Sequence, residues 1–174
     1  MRLQTKACRI KAVVLDVDGV LTDARTGYGP DEHEIKFFSV RDGLGVDLAR
    51  QAGLLVGIIS GRRSKANARR AEELKLDFAF QGERDKAAAF ARLLAERGLT
   101  AEECLYIGDD LIDIPVMRRA GLAVAVADAA PELDLCSDFR TLAKGGAGAV
   151  RETLEWLLKE QGKWQDLVAK YFAD

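Results

Sequence analysis

Only three of the 174 residues are proline, three are cysteine and one is histidine. So few prolines do not suit a disordered or linker-rich chain. The cysteines, Cys8, Cys104 and Cys136, are odd in number and form no CxxC pair, which argues against a disulfide scaffold or a zinc site and fits a reducing compartment. The single histidine, His33, sits among charged residues far in sequence from the acidic clusters, so it is expected at the surface without a catalytic role. No apolar run approaches the ~20 residues that cross a bilayer, and the N-terminus shows no apolar signal core. A cytoplasmic protein with no membrane partner is the expectation. Charge of one sign is also lacking: 26 basic residues face 28 acidic ones, for a net charge of −2, which gives no basis for nucleic-acid binding. The local basic clusters, Arg62-Arg63-Ser64-Lys65 and Arg69-Arg70, suit either a small anion or a solvated helix face.

The chain does have the means to bury a core. Hydrophobic residues make up 48% and charged residues 31%, a globular composition for one domain of ordinary size. That domain is expected over 1–161, followed by a C-terminal tail over 162–174. Ala12-Val13-Val14-Leu15 is a short β-branched run that reads as a strand buried on both faces and ends at Asp16. Leu54 to Ile59 ends at Ser60-Gly61-Arg62, Cys104 to Ile107 ends at Gly108-Asp109-Asp110, and Leu122 to Val126 ends near Asp128. Phe78-Ala79-Phe80 is a shorter strand between them. Helices fill the gaps. One is capped by Asp42 and stops at Gly53, one runs from Ser64 to Leu74, and one runs from Asp85 to Arg97 and stops at Gly98. Thr100 to Glu103 matches a capping box, Ile112 to Arg119 is a short helix, and Val150 to Leu158 is amphipathic. Such alternation predicts an α/β, Rossmann-like fold with a central parallel sheet flanked by helices.

The segment from 22 to 39 breaks this alternation. Gly27, Gly29 and Pro30-Asp31 lie between runs with β character that include Ile35, Phe37 and Phe38, which reads as a β-hairpin just after the first strand. With one helix it fills the space between Asp18 and Ser60, too little chain for a large cap domain. The tail carries Trp164, Leu167, Val168, Tyr171 and Phe172, aromatic and apolar groups that need either this domain or another surface to pack on.

In open parallel sheets, ligands bind beyond the carboxyl ends of the strands. Asp16 and Asp18, Ser60, and Asp109 and Asp110 all fall at such ends and so should surround one crevice. Two carboxylates two residues apart off a buried strand are costly without a compensating cation. Magnesium prefers hard oxygen ligands of this kind, with Asp109 as the third protein ligand and Asp110 and Asp113 adding acidity nearby.

Four features occur in order: Asp16-Val17-Asp18-Gly19-Val20-Leu21-Thr22-Asp23, Ser60-Gly61, the isolated Lys86, and Gly108-Asp109-Asp110-Leu111-Ile112-Asp113. This set resembles the haloacid dehalogenase superfamily, and its Asp-x-Asp form resembles the phosphatase branch. The resemblance covers roughly Ile10 to Ala130. It implies that Asp16 is the nucleophile that forms an aspartyl-phosphate. Magnesium is then held by the Asp16 carboxylate, the Asp18 backbone carbonyl and the Asp109 carboxylate. Asp18 acts as general acid and then base, and Ser60 and Lys86 hold phosphate oxygens. Asp113 or Asp110 supports the metal water or Lys86 from behind.

A narrower resemblance lies in Phe38-Ser39-Val40-Arg41-Asp42-Gly43-Leu44-Gly45, Ile59-Ser60-Gly61-Arg62, Phe80-Gln81-Gly82 and Ile107 to Asp113. These runs are similar to the 3-deoxy-D-manno-octulosonate 8-phosphate phosphatases, capless enzymes that form homotetramers through their hairpins. The resemblance implies hydrolysis of that phosphorylated sugar acid to the free acid and inorganic phosphate, a step toward lipopolysaccharide. It also implies substrate contacts from Asp18, Ser39, Val40, Arg41, Asp42, Gly43, Ser60, Gly61, Arg62, Arg70 and Lys86. Arginine suits the substrate's carboxylate, while Arg41 has an alternative as an ion-pair partner of Asp42 or Glu34. A nonulosonate 9-phosphate or a broad range of sugar phosphates is the alternative substrate, and a non-catalytic assembly domain is the alternative role. For the tail, the resemblance implies docking at a neighbouring subunit's active-site mouth.

Overall fold

The apolar runs become neighbouring strands in the computed structural model, which describes residues 2–30 and 33–172. In chain order the strands are β1 (Ala12–Leu15), β2 (Gly27–Tyr28), β3 (Glu34–Ile35), β4 (Leu55–Ser60), β5 (Phe78–Gln81), β6 (Cys104–Gly108), β7 (Leu122–Ala125) and β8 (Phe139–Arg140). The helices are α1 (Leu3–Ala7), α2 (Val40–Gln51), α3 (Lys65–Glu73), α4 (Lys86–Arg97), α5 (Ile114–Met117), α6 (Ala149–Glu160) and α7 (Trp164–Ala169). A six-stranded sheet has the order β5-β4-β1-β6-β7-β8, and its pairs are parallel. β1 lies at its centre and is fully buried, which is why its sequence is continuously apolar rather than alternating. One core face holds Val13, Leu15, Val56, Leu105 and Leu154; the other holds Val14, Ile59, Phe90, Tyr106 and Met117.

Register aligns the chemistry. Leu15 pairs with Ile58 on one side and Ile107 on the other, so Asp16, Ser60 and Asp109 leave three adjacent strands at the same edge. Local signals set the helix ends. Asp85 caps α4 by accepting from the Ala88 amide at 2.9 Å, and Gly98 ends that helix in the left-handed region. Ser64 caps α3, and the Thr100 capping box closes the short 3₁₀ turn before β6.

The expected hairpin is present as the antiparallel pair β2–β3, in which Gly27 faces Ile35 and Tyr28 faces Glu34. It is shorter than the span 22–39 suggested, and Asp31 of its expected turn lies outside the described residues. The expected Asp42 cap is corrected: Ser39 caps α2, its Oγ accepting from the Asp42 amide at 3.2 Å. The Asp42 carboxylate instead accepts from the amides of Gly148 (3.2 Å) and Arg151 (2.7 Å) and so caps α6. α1, β8 and α7 are additional to the sequence reading. In the tail, Leu167 is buried and Trp164 lies under the Arg151 guanidinium at 5.2 Å, so this part packs on its own chain. Tyr171 and Phe172 remain exposed.

Candidate active site

The loop after β1 is folded by its own motif. The Thr22 hydroxyl donates to the Val17 carbonyl at 3.2 Å and accepts from the Gly19 amide at 3.4 Å. Gly19 has φ +106°, and a Cβ there would overlap Asp109 Oδ2. The Gly145-Gly146 turn presses onto the same loop: a Cβ on Gly145 would strike the Gly19 carbonyl, and the Gly146 amide donates to the Val20 carbonyl at 2.9 Å. The spacing Asp-x-Asp-Gly-x-x-Thr is therefore a packing requirement as well as a chemical one.

Lys86, the first residue of α4, is buried and points back across the sheet edge. Its Nζ donates to Asp16 Oδ1 at 2.5 Å and to Asp113 Oδ1 at 2.7 Å. Carboxylate oxygens of Asp16, Asp109 and Asp113 lie within 4.8 Å of one another. The three differ in their partners. Asp113 Oδ1 also accepts from Tyr106 Oη at 2.7 Å, and its Oδ2 accepts from the amides of Asp109 (2.9 Å) and Asp110 (3.3 Å). Both of its oxygens are engaged, so Asp113 braces the site, while Asp16 and Asp109 offer free lone pairs. Asp110 accepts from the Leu111 amide and caps the following turn.

Three carboxylates thus face one ammonium. Burial pushes Asp16 up to about 6, with Lys86 opposing and Asp113 adding to the rise. Burial pushes Asp109 up to about 8, reinforced by Asp16 and Asp113. For Lys86, burial disfavours the charge, but Asp16 and Asp113 outweigh it and hold the ammonium above its ordinary value. A pair of hard carboxylate oxygens with too little countercharge fits a divalent cation such as magnesium.

Ser60 is buried at the end of β4, and its Oγ accepts from the Arg62 amide at 3.3 Å. The Arg62 guanidinium donates to Glu34 Oε1 at 2.8 Å and to Thr26 Oγ1 at 3.4 Å, joining this strand end to the hairpin. The other expected substrate contacts have different surroundings. The Asp42 side chain faces the α6 N-terminus instead of a pocket. Arg41 lines a groove of about 620 Å³ with Phe139, Arg151 and Trp156, and that groove contains none of the strand-end residues. Val40 is exposed. Arg70 donates to the Ser39 carbonyl at 3.0 Å and stacks 5.5 Å from the Phe38 ring, and a Cβ on Gly43 would have to displace its Nη2. Arg70 and Gly43 therefore fix the start of α2. His33 is exposed, as expected.

Residues 80–151 match the family model for haloacid dehalogenase-like hydrolases. The 3-deoxy-D-manno-octulosonate 8-phosphate phosphatase KdsC of Salmonella typhi is 45% identical over 161 residues, which are 92% of this chain and 86% of that protein. The chain belongs to the KdsC family. Among solved structures, the 3-deoxy-D-manno-octulosonate 8-phosphate phosphatase of Moraxella catarrhalis, in complex with magnesium, phosphate and KDO, matches with a TM-score of 0.94 at 39% identity, covering 97% of each chain. The cobalt-bound Haemophilus influenzae enzyme matches with a TM-score of 0.91 at 38% identity, covering 97% of this chain and 99% of that one.

Three features of this KdsC-family site escaped the sequence reading: Tyr106, Lys36 and Asn67. Tyr106 sits mid-strand and reads as core, although a hydroxyl in a buried strand needs a partner. Lys36 interrupts an apolar stretch of the hairpin, and its side chain is wholly buried. Asn67 is a buried polar residue on α3, and it accepts from Lys36 Nζ at 3.0 Å.

Proposed function

We propose that the protein is a magnesium-dependent phosphomonoesterase that hydrolyses 3-deoxy-D-manno-octulosonate 8-phosphate to the free sugar acid and inorganic phosphate. The observation that carries this reading is the bridging of Asp16 and Asp113 by Lys86 at the edge where β1, β4 and β6 end, in a chain so similar to named phosphatases of that substrate.

Asp16, the Asp18 backbone carbonyl and Asp109 would hold the magnesium, with Asp113 bracing Asp109 and Lys86 from behind. When bound, the metal offsets the repulsion between a phosphate and the attacking carboxylate and orients the phosphate. Asp16 attacks phosphorus through a carboxylate oxygen, and the bond from phosphorus to the sugar oxygen breaks. The Asp18 side chain gives its proton to that leaving oxygen. It then removes a proton from the water that attacks the aspartyl-phosphate, and phosphate leaves as the Asp16 carboxylate is restored. Ser60 Oγ and Lys86 Nζ stabilise the charge on the transferring phosphoryl group. Arg62, partly exposed at the mouth, is the cation for the sugar carboxylate.

The assembly we infer is a homotetramer built on the hairpins. Tyr28, Ile35, Phe37 and Val40 expose apolar surface there that an isolated chain leaves uncovered, and Tyr171 and Phe172 are free to reach a neighbouring chain. The three free cysteines fit a cytoplasmic enzyme. Among the described residues no helix is long and apolar enough to cross a membrane. Phosphate release from the octulosonate 8-phosphate, nonulosonate 9-phosphates and simple sugar phosphates, each with and without magnesium, tests the reading. The octulosonate ester is expected to be preferred, and only with the metal. Equal rates on all three classes would remove the specific assignment, and metal-independent release would remove the mechanism.

A further inference from the structure

A lysine whose side chain has no exposed surface needs a reason, because an unpaired buried ammonium is strongly unfavourable and a paired one gains little over an apolar side chain. Lys36 lies just after β3, at the base of the hairpin. Its Nζ donates to Asp18 Oδ1 at 2.5 Å and to Asn67 Oδ1 at 3.0 Å, and Glu34 Oε1 is 3.8 Å away. Glu34 in turn pairs with Arg62 at 2.8 Å. Charges thus alternate from the mouth inward as Arg62, Glu34, Lys36 and Asp18. Asp18 keeps 22% of its side chain exposed, so it forms part of the crevice wall, while Lys36 and Asn67 lie behind it.

We infer that Lys36 is a positioning residue for proton transfer: seated by Asn67, it anchors one oxygen of Asp18 so that the other meets the leaving oxygen of the substrate. This rests on the phosphatase reading given above. With Oδ1 engaged by Lys36, Oδ2 is the oxygen left to exchange a proton with the substrate. As the bond from phosphorus to the leaving oxygen breaks, that oxygen takes the proton from Oδ2. In the second half, Oδ2 takes a proton from the attacking water as the bond from phosphorus to Asp16 breaks. An aspartate beside a crevice has several rotamers open to it, and a tether from behind selects one. Loss of the tether misplaces the donor by about 1 Å, enough to cost on the order of 100-fold.

The leaving group separates this role from a structural one. An alkoxide needs a proton as it departs, whereas p-nitrophenolate does not. The ratio kcat/KM reports only the steps through phosphoryl transfer, so the later water attack, common to both substrates, does not enter it. In Lys36→Met, kcat/KM for a sugar phosphate is expected to fall about 100-fold, and that for p-nitrophenyl phosphate less than about 5-fold. In an Asp18→Asn background, adding Lys36→Met is expected to change neither value further. Equal losses on the two substrates, or a full additional loss in the Asp18→Asn background, would overturn the inference. Melting curves and gel filtration establish that each variant folds. If Lys36→Met does not, the comparison is made with Lys36→Arg, whose planar guanidinium cannot reproduce the paired contacts of a compact ammonium; the same substrate-selective loss is expected, and its absence overturns the inference. Absence of magnesium-dependent release from both substrates by the unaltered protein would instead remove the phosphatase reading itself.

Discussion

Gly19 and Asp109 occupy neighbouring positions that admit no side chain between them: a Cβ on Gly19 would overlap Asp109 Oδ2, and the backbone there has φ +106°. The glycine of the first motif thus shapes the carboxylate of the last one. Gly19→Ala is expected to displace Asp109 and to strain the loop, because an alanine is disfavoured at this φ. The expected result is a fall in kcat/KM on the order of 100-fold with a matching rise in the magnesium concentration needed for half-maximal activity. Unchanged magnesium dependence would remove Asp109 from the metal site.

Tyr106 and Asp113 test the bracing layer. The Tyr106 hydroxyl donates to the same Asp113 oxygen that Lys86 engages. Tyr106→Phe removes one hydrogen bond and leaves the ion pair, so a loss of about 1 kcal/mol of transition-state stabilisation, roughly 5-fold in kcat/KM, is expected. Asp113→Asn also removes a charge from a buried network and turns an amide toward backbone N–H donors or Lys86. Its expected loss exceeds 100-fold, with a clear fall in melting temperature. Equal effects from the two substitutions would show that Asp113 does not organise the site.

The Asp42 assignment separates packing from binding. Its carboxylate caps α6 through two amides more than a hundred residues away in sequence. Burial raises its pKa, and the Arg151 and Gly148 amides oppose that rise. Asp42→Ala is expected to destabilise the protein by about 2 kcal/mol, which lowers the melting temperature by roughly 5 °C. Assayed well below melting, KM is expected to change by less than about threefold. A large rise in KM with no change in melting would restore Asp42 to the substrate pocket.

These residues show which parts of the molecule can be read from sequence. β1, β4 and β6 are buried on both faces, so each is a continuous apolar run, and the residue that ends it marks the strand end where ligands gather. Lys86 is placed by Asp85 as a helix cap and Gly98 as a helix stop, both local signals. β8 is only two residues long, Phe139–Arg140, too short for any alternation to register. Asp42 has a helix-capping chemistry whose target lies in a distant helix, and Lys36 meets Asp18 only when the end of the hairpin folds back to the loop after β1. Local patterns carry the strands and the helix ends; pairings across long sequence separations carry the second layer of the site.

The metal-free site should impose a pH dependence on stability. Asp16 is raised to about 6 and Asp109 to about 8, burial being the first cause for both. A carboxyl group whose folded pKa lies above its unfolded one binds protons more tightly in the folded state. Stability is therefore highest where the group is protonated and falls as pH rises from the unfolded value, about 4, through the folded one. The metal-free protein is expected to melt at a lower temperature at pH 8.5 than at pH 5.5. Magnesium held by the ionised carboxylates would displace their protons, so the rise in melting temperature on adding magnesium should be larger at pH 8.5 than at pH 5.5. Asp109→Asn removes both the desolvated charge and a proposed ligand. It is expected to melt above the unaltered protein at pH 8.5 without magnesium and to lose most of the magnesium-induced rise. A magnesium effect that is larger at the lower pH, or that survives Asp109→Asn intact, would place the cation elsewhere.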